Sequence, residues 1–428
     1  MQSLAILNPF LVLCCGVALL TLRREQLQGK QWFLGGGLLV FLWVAMFTML
    51  PVQLKDGMAS SELLAVSRDP ANIASMVHNV VTRPRAVSQS LFFLFAPSAI
   101  WLLAIQLGRS DLRTAVPFLI GVGTISGIFG VLQLAGSANS PFYFYRITNS
   151  GSAVGLFANR NHSAVFLACI FPMIAVFAAG SHGVTREDRN VRTMIAVAIA
   201  ILLVPLILVT GSRSGLLVAI IGLSGAAILY SSIVRARLQP KTNKSLLPVF
   251  GITVLISVIF ATIYFSRAEA IERVFSEPDS GNNRADFWSS GLQMFWQYFP
   301  FGFGPGGFVP AFQMNEPLDL LSNEYLNRLH NDWLEIALTF GVPGVLLMVT
   351  GIFYYLYRSF VLWMHLDGSR SGVAFGRMAS IIISIIAVAS LSDYPMRTPA
   401  IAGLASLALV WFTHARSEPS HGKIDSNI

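Results

Sequence analysis

The sequence predicts an all-α, polytopic integral membrane protein of about eleven to twelve transmembrane helices, and three observations predict it. The chain is 54% hydrophobic and only 12% charged, with a mean hydropathy of +0.64, far more apolar than a soluble domain of this length. Its apolar residues gather into blocks of roughly 17–25, the length that crosses a ~30 Å hydrocarbon core as a helix. Basic residues fall in alternate loops between these blocks. A β-barrel is excluded, because its strands would be about ten residues long and alternate in polarity, whereas Met194 to Thr210 is continuously apolar.

In chain order the expected spans lie near 3–22, 32–50, 88–107, 115–135, 162–180, 193–210, 213–230, 247–265, 333–357, 374–392 and 398–414. The first begins with no preceding Lys or Arg and lacks the charged start of a secretory signal, so it is read as a retained span. Leu11-Val-Leu-Cys14 resembles a lipobox, but the residue before the cysteine is large and Cys15 follows it. Cys14, Cys15 and Cys169 all fall inside spans, which leaves neither a disulfide framework nor spaced metal ligands. Four regions follow: an N-terminal bundle of about eight spans over 1–265 with a loop at 51–87, a large extracytoplasmic loop with interfacial helices at 266–332, three C-terminal spans over 333–414, and a disordered cytoplasmic tail at 415–428.

Orientation follows from Arg23, Arg24, Lys30, Arg109, Arg113, Arg186, Arg189, Arg192, Arg235, Arg237, Lys241 and Lys244, which sit in short loops that the positive-inside rule assigns to the cytoplasm. The loops 51–87 and 266–332 are long enough to translocate despite Lys55, Arg68, Arg83, Arg85, Arg267, Arg273, Arg284 and Arg328. The formal charge of +8 is therefore an orientation signal combined with attraction to anionic lipid, and a nucleic-acid partner is not expected.

Three extracytoplasmic segments combine charge with membrane proximity, the setting in which ionisable residues do chemistry. The first is Asn159-Arg160-Asn161-His162 at the entry to a span; helix capping and snorkelling account for part of it, but the run is richer than capping needs. The second is the tight turn Thr210-Gly-Ser-Arg-Ser-Gly215. Such a hairpin needs Gly or Ser but no arginine, so Arg213 is either an interfacial anchor or a partner for an anionic substrate, whose phosphate oxygens match its planar donor fork. The third is the loop 266–332. Its stretch Arg284 to Phe299 is expected to form an interfacial helix anchored by Trp288, Phe295, Trp296 and Tyr298, with Arg284 and Trp288 one turn apart and able to form a cation–π pair. The loop ends in Arg328-Leu-His-Asn-Asp-Trp-Leu-Glu335, where Asp332 and Glu335 read as a capping box. His330 is unexplained by capping and is the best general-base candidate in the chain. No His, Cys or carboxylate spacing resembles a metal site. Gly302-Phe-Gly-Pro-Gly-Gly307 fits a dinucleotide fingerprint but has no preceding strand and includes Pro305, so it is read as a turn bordering the membrane.

These segments, Phe157-Ala-Asn-Arg-Asn-His162, Gly211-Ser-Arg-Ser-Gly215, Arg284 with Trp288 and the following glycine loop, and His330-Asn-Asp332 with Gly341 and Gly344, resemble in content and order the O-antigen ligase and O-antigen polymerase superfamily of bacterial envelope glycosyltransferases. The resemblance implies a multi-pass protein of the bacterial inner membrane, with its active site facing the periplasm, that uses an undecaprenyl-diphosphate-linked glycan donor and no metal or other cofactor. Arg213 and Arg284 would grip the donor diphosphate and His330 would take the acceptor proton in a direct, inverting displacement. Asn159, Arg160, Asn161, His162, Asp332 and Trp288 would contact substrate. The acceptor would be another glycan, the lipid A core or a protein hydroxyl, with the polymerase or exopolysaccharide type the nearer resemblance. A transporter or a non-catalytic scaffold of a polysaccharide assembly complex are the competing readings. Transporters, however, place ionisable groups near the bilayer midplane, whereas here they collect at one face.

Overall fold

The computed structural model describes residues 2–23, 37, 84–136, 140–146, 148–180, 185–237, 284–300, 302–316, 326–366 and 371–414. The expected spans 32–50 (apart from Gly37) and 247–265, the tail 415–428, and most of the loop 51–87 lie outside the described residues. Among the described residues all regular structure is helical. Eleven α-helices are numbered here in chain order: α1 Gln2–Thr21, α2 Pro84–Ala104, α3 Arg109–Ala135, α4 Arg160–Ala179, α5 Arg186–Val209, α6 Arg213–Arg237, α7 Arg284–Tyr298, α8 Phe308–Asn315, α9 Asp332–Phe360, α10 Ser371–Ala389 and α11 Pro399–His414. Six are long and apolar enough to cross a membrane, and the apolar segments Leu7–Thr21, Phe92–Ala104 and Pro399–His414 are shorter. The polytopic all-α expectation therefore holds.

The chain divides into two compact units: Met1–Gln106 with Glu277–Tyr354 and Ser390–Ser406, and Leu107–Ser276 with Tyr355–Ala389 and Leu407–Ile428. The second unit is built around α4. Of its apolar window 94% is buried, against 28–33% for α3, α5 and α6, so α4 is the inner helix and the other three keep a lipid-facing side. α4 packs against α3, α5, α6 and α10. Its approach to α6 is close because α6 carries glycine at the contacts: a Cβ on Gly215 would lie 2.5 Å from Ala164 Cβ, and one on Gly222 would lie 2.7 Å from the Ala168 carbonyl oxygen. Small residues at such positions let helices associate where lipid removes the hydrophobic drive. The pairing 164 with 215 and 168 with 222 means that α4 and α6 run in the same direction, so both helices start at the same face.

Two buried polar side chains hold this unit's connections. Gln133 is 1% exposed; its amide donates to the carbonyls of Phe142 and Gly155 at 2.9 Å and accepts from the N–H groups of Val154 and Gly155 at 3.0 and 2.8 Å. Both halves of the amide are thus saturated, as burial demands, and the loop into α4 is pinned. Arg377 lies within the expected span 374–392, where charge was not anticipated. Its guanidinium donates to the carbonyls of Leu362 and Leu366 at 2.8 Å and lies 5.1 Å from the Trp363 ring centroid. These carbonyls belong to the π-helical turn Val361–His365 and its exit, the negative end of a helix, where a cation is favoured.

In the first unit α1 packs on α2. Phe287, Met294, Phe308, Ala311, Phe312, Leu329 and Leu338 form a shared core of α7, α8 and the start of α9. Trp288, Phe295 and Tyr298 pack on that core, whereas Trp296, the fourth expected anchor, is 65% exposed. The glycine loop 302–307 has a structural task. α9 breaks at Gly341, whose φ is +59°, and Pro343 has no N–H to offer Thr339. The loop supplies what is lost: Phe303 N–H donates to Leu338 O and Gly304 N–H to Thr339 O, both at 3.0 Å, while Val342 N–H turns to Pro300 O at 2.7 Å. These amides are consumed by α9, which agrees with the reading that this is no nucleotide loop.

Gly302 has φ +74°, and a Cβ there would lie 2.6 Å from the carbonyl oxygens of Leu338 and Thr339. Gly302→Ala is expected to cost about 2 kcal/mol or more, read as a lowered thermal midpoint of the purified protein. Gly351→Ala, where nothing lies within 4 Å, should be neutral or slightly stabilising.

Candidate functional site

In the first unit α9 opens on a cluster of charged side chains. Asn331 caps the helix, its Oδ1 accepting the Leu334 N–H at 3.0 Å, which satisfies one of the donors left open at a helix start. This corrects the expected capping box. With Asn331 as the cap, Glu335 falls one position too far along to reach back to it, and both carboxylates are free for other partners. Asp332 and Glu335 are 3% and 1% exposed, so each must be paired. Asp332 Oδ2 accepts from the Ser390 hydroxyl at 3.2 Å and from Met396 N–H at 3.1 Å, and its backbone N–H donates to Ser390 O at 2.9 Å. Glu335 Oε1 accepts from Arg328 at 2.8 Å and lies 3.2 Å from Arg397 Nη2. Arg397 Nε in turn lies 3.7 Å from Asp332 Oδ1, so one guanidinium serves both carboxylates.

His330 immediately precedes the cap. Its φ of +56° is a conformation that few non-glycine residues adopt and that recurs where surrounding structure imposes it. Here the buried Leu329 holds one side and the Asn331 cap the other. The ring Nδ1 lies 3.4 Å from Asp393 Oδ1, a long contact. The ring centroid is 5.0 Å from that of Tyr394. The His330 side chain is 29% exposed and that of Asp393 1%, so a half-buried imidazole is backed by a buried carboxylate. Such a carboxylate holds Nδ1 protonated and leaves Nε2 as the proton-accepting nitrogen.

Trp288, half-buried on α7, packs against the same core as Leu329 and Leu334. Its Nε1 and the Oε2 of Glu335 are buried with no hydrogen-bond partner among the described residues. Arg284 starts α7 one turn before Trp288; its side chain lies outside the described atoms.

The second unit carries the other candidates. Asn159 is the cap of α4, accepting from Asn161 N–H at 2.8 Å, and Asn149 Oδ1 takes the Arg160 N–H at 3.0 Å. Capping thus accounts for Asn159 within the run 159–162. His162 is 6% exposed on the first turn of α4, while Arg160 and Asn161 are half-buried. Ser212 caps α6 by accepting from Gly215 N–H at 2.9 Å, and Arg213, the first residue of α6, is exposed. Because α4 and α6 run in parallel, their starts lie side by side: a Cβ on Gly211 would be 3.7 Å from Arg160 Nη1. Two helix N-termini and two guanidinium-bearing residues therefore share one face, an arrangement that favours an anion.

Sequence reasoning missed Asp393, Ser390 and Arg397. The signal was present: 393–397 is a short hairpin between expected spans, and a hairpin has as little need of Asp and Arg as the Arg213 turn has of its arginine.

Removing the shared carboxylate should expose the network. Glu335→Ala leaves Arg328 and Arg397, which are 20% and 21% exposed, without their common partner. It is expected to cost about 2–3 kcal/mol, less than a fully buried pair would because the arginines can turn to water. Asn331→Ala should cost about 1 kcal/mol. Thermal unfolding followed by tryptophan fluorescence measures both.

No curated protein matches the chain. Residues 196–349 match the family model described as O-antigen ligase, a segment that runs from α5 into α9 and holds Arg213, Arg284, Trp288, His330 and Asp332. With six helices able to cross a membrane among the described residues, that match supports the O-antigen ligase and polymerase superfamily.

Proposed function

We propose that this chain transfers or polymerises an undecaprenyl-diphosphate-linked glycan at the periplasmic face of the bacterial inner membrane, as an inverting glycosyltransferase that needs no metal. The O-antigen ligase match supports a membrane glycosyltransferase at the family level. The observation that carries the mechanism is the partly exposed His330 backed by the buried Asp393. The acceptor hydroxyl gives its proton to Nε2 of His330, and its oxygen attacks the anomeric carbon of the donor. The bond from that carbon to the diphosphate oxygen breaks, and the electron pair leaves with undecaprenyl diphosphate. One in-line displacement inverts the anomeric centre. Arg213 and Arg284 stabilise the departing diphosphate, with Arg160 beside the Arg213 turn as a further cation.

Asn159, Asn161, His162 and Trp288 are assigned to substrate contact, Trp288 through its unpartnered indole N–H. Asp332, whose Oδ2 already accepts from Ser390 and Met396, acts as a positioning residue that holds the turn bearing Asp393. The acceptor is assigned to a second lipid-linked glycan, the polymerase or exopolysaccharide type, on the resemblance of Asn159–His162 and His330-Asn331-Asp332 to those members.

Deleting the gene and examining surface polysaccharide tests the reading. Single repeats without long chains mark a polymerase, full-length chains left unattached mark a ligase, and normal glycans with altered solute uptake would favour a transporter. On complementation, His330→Ala, Arg284→Ala and Arg213→Ala should each abolish product while membrane insertion stays near normal; full product from any two of them would remove the mechanism. Asp393→Asn should lower turnover by about 10²–10⁴-fold, measured with purified protein and a lipid-linked donor.

A further inference from the structure

The second unit holds a cavity of ≈ 300 Å³ at the far end of α4 from Asn159–His162, about 25 Å away at the rise of an α-helix. It is lined by Arg113 of α3, Val176 and Phe177 of α4, Arg192 of α5, and Ser371 and Phe375 of α10. The two arginines are turned into the unit. Arg113 Nη2 donates to the Ser371 hydroxyl, and the Arg192 guanidinium lies 5.5 Å from the Phe177 ring centroid. Among the described residues no ion pair joins either arginine to a carboxylate. Asp188, one turn before Arg192, is engaged with the Thr185 hydroxyl at 2.8 Å. Arginines that served only to orient the chain would point to water or headgroups along the rim. Here two of them, from different helices, converge on one apolar-walled space beside the first turn of α10, whose helix dipole also favours negative charge.

The geometry points to a binding site for an anionic phospholipid: the phosphodiester headgroup sits between Arg113, Arg192 and Ser371, and an acyl chain runs along Val176, Phe177 and Phe375. A free phosphate would use the guanidinium groups but leave the apolar wall bare, which is why a lipid is the better occupant. The site lies at the face of the basic loops and is separate from the chemistry at the other end of α4.

Native mass spectrometry of the full-length purified protein tests the assignment with three probes: phosphatidylglycerol, phosphatidylcholine and inorganic phosphate alone. Phosphatidylglycerol should remain bound to the wild type, and the double variant Arg113→Gln with Arg192→Gln should lose about tenfold or more of that occupancy. Arg235→Gln, an exposed arginine outside the cavity, should retain it. Equal retention of phosphatidylcholine, undiminished phosphatidylglycerol on the double variant, or phosphate binding that displaces the lipid would each overturn the proposal. Should the double variant fail to fold, photo-crosslinking of wild-type protein with a photoactivatable phosphatidylglycerol decides. Labelled peptides covering 113–117, 176–180 and 371–375 support the site, and labelling confined elsewhere refutes it.

Discussion

One buried carboxylate, Asp332, holds the first unit's polar cluster in place. Through its side chain and its own backbone N–H it ties the start of α9 to the turn 390–396, and that turn carries Asp393 to the ring of His330. The arrangement is affordable in a low-dielectric setting because the charges cancel locally: Asp332 and Glu335 against Arg328 and Arg397. Pairing of this sort does little for net stability, since desolvation consumes most of the attraction, but breaking it leaves a charge stranded. Its value here is geometric, because it holds a strained histidine next to a helix cap.

The second unit is organised in a different way. Capping side chains rather than carboxylates shape the starts of α4 and α6 among the described residues. Asn159 and Ser212 cap the two helices, and glycine contacts at Gly215 and Gly222 draw the helices together. The positive ends of two peptide dipoles are thereby placed beside Arg160 and Arg213 without burying a full charge. Gln133 serves the same end one step removed, since an amide that saturates both its donors and acceptors can fix the incoming loop at no electrostatic cost.

Much of this was legible in the sequence because lipid imposes a strong pattern: nine of the expected spans have a helix on or across them, and the segments 159–162, 213 and 330–332 stood out as polar residues where apolar or small ones would suffice. What escaped reading was long-range. Asp393 is 63 positions from His330, and nothing local in Ser-Asp-Tyr-Pro announces that partner. Arg377 sat unnoticed inside an apolar block because its partners are carbonyls at the end of another helix, a need that no side-chain pattern reports. The capping box failed for a simpler reason: Asn331 is as good a cap as Asp332, and a shift of one residue turned two presumed caps into the members of an ion network.

The break in α9 bears on how the chain is assembled in the bilayer. The carbonyls of Leu338 and Thr339 receive their donors from Phe303 and Gly304, far upstream, so this helix is not a self-sufficient span. In hydrocarbon an open carbonyl costs several kcal/mol, and a free-standing 332–360 segment would carry two of them. The bracket is synthesised before the helix that needs it and can be waiting when α9 emerges. The order of elements along the chain thus works as an order of assembly, in which a loop completes a helix that local propensity alone would leave unfinished.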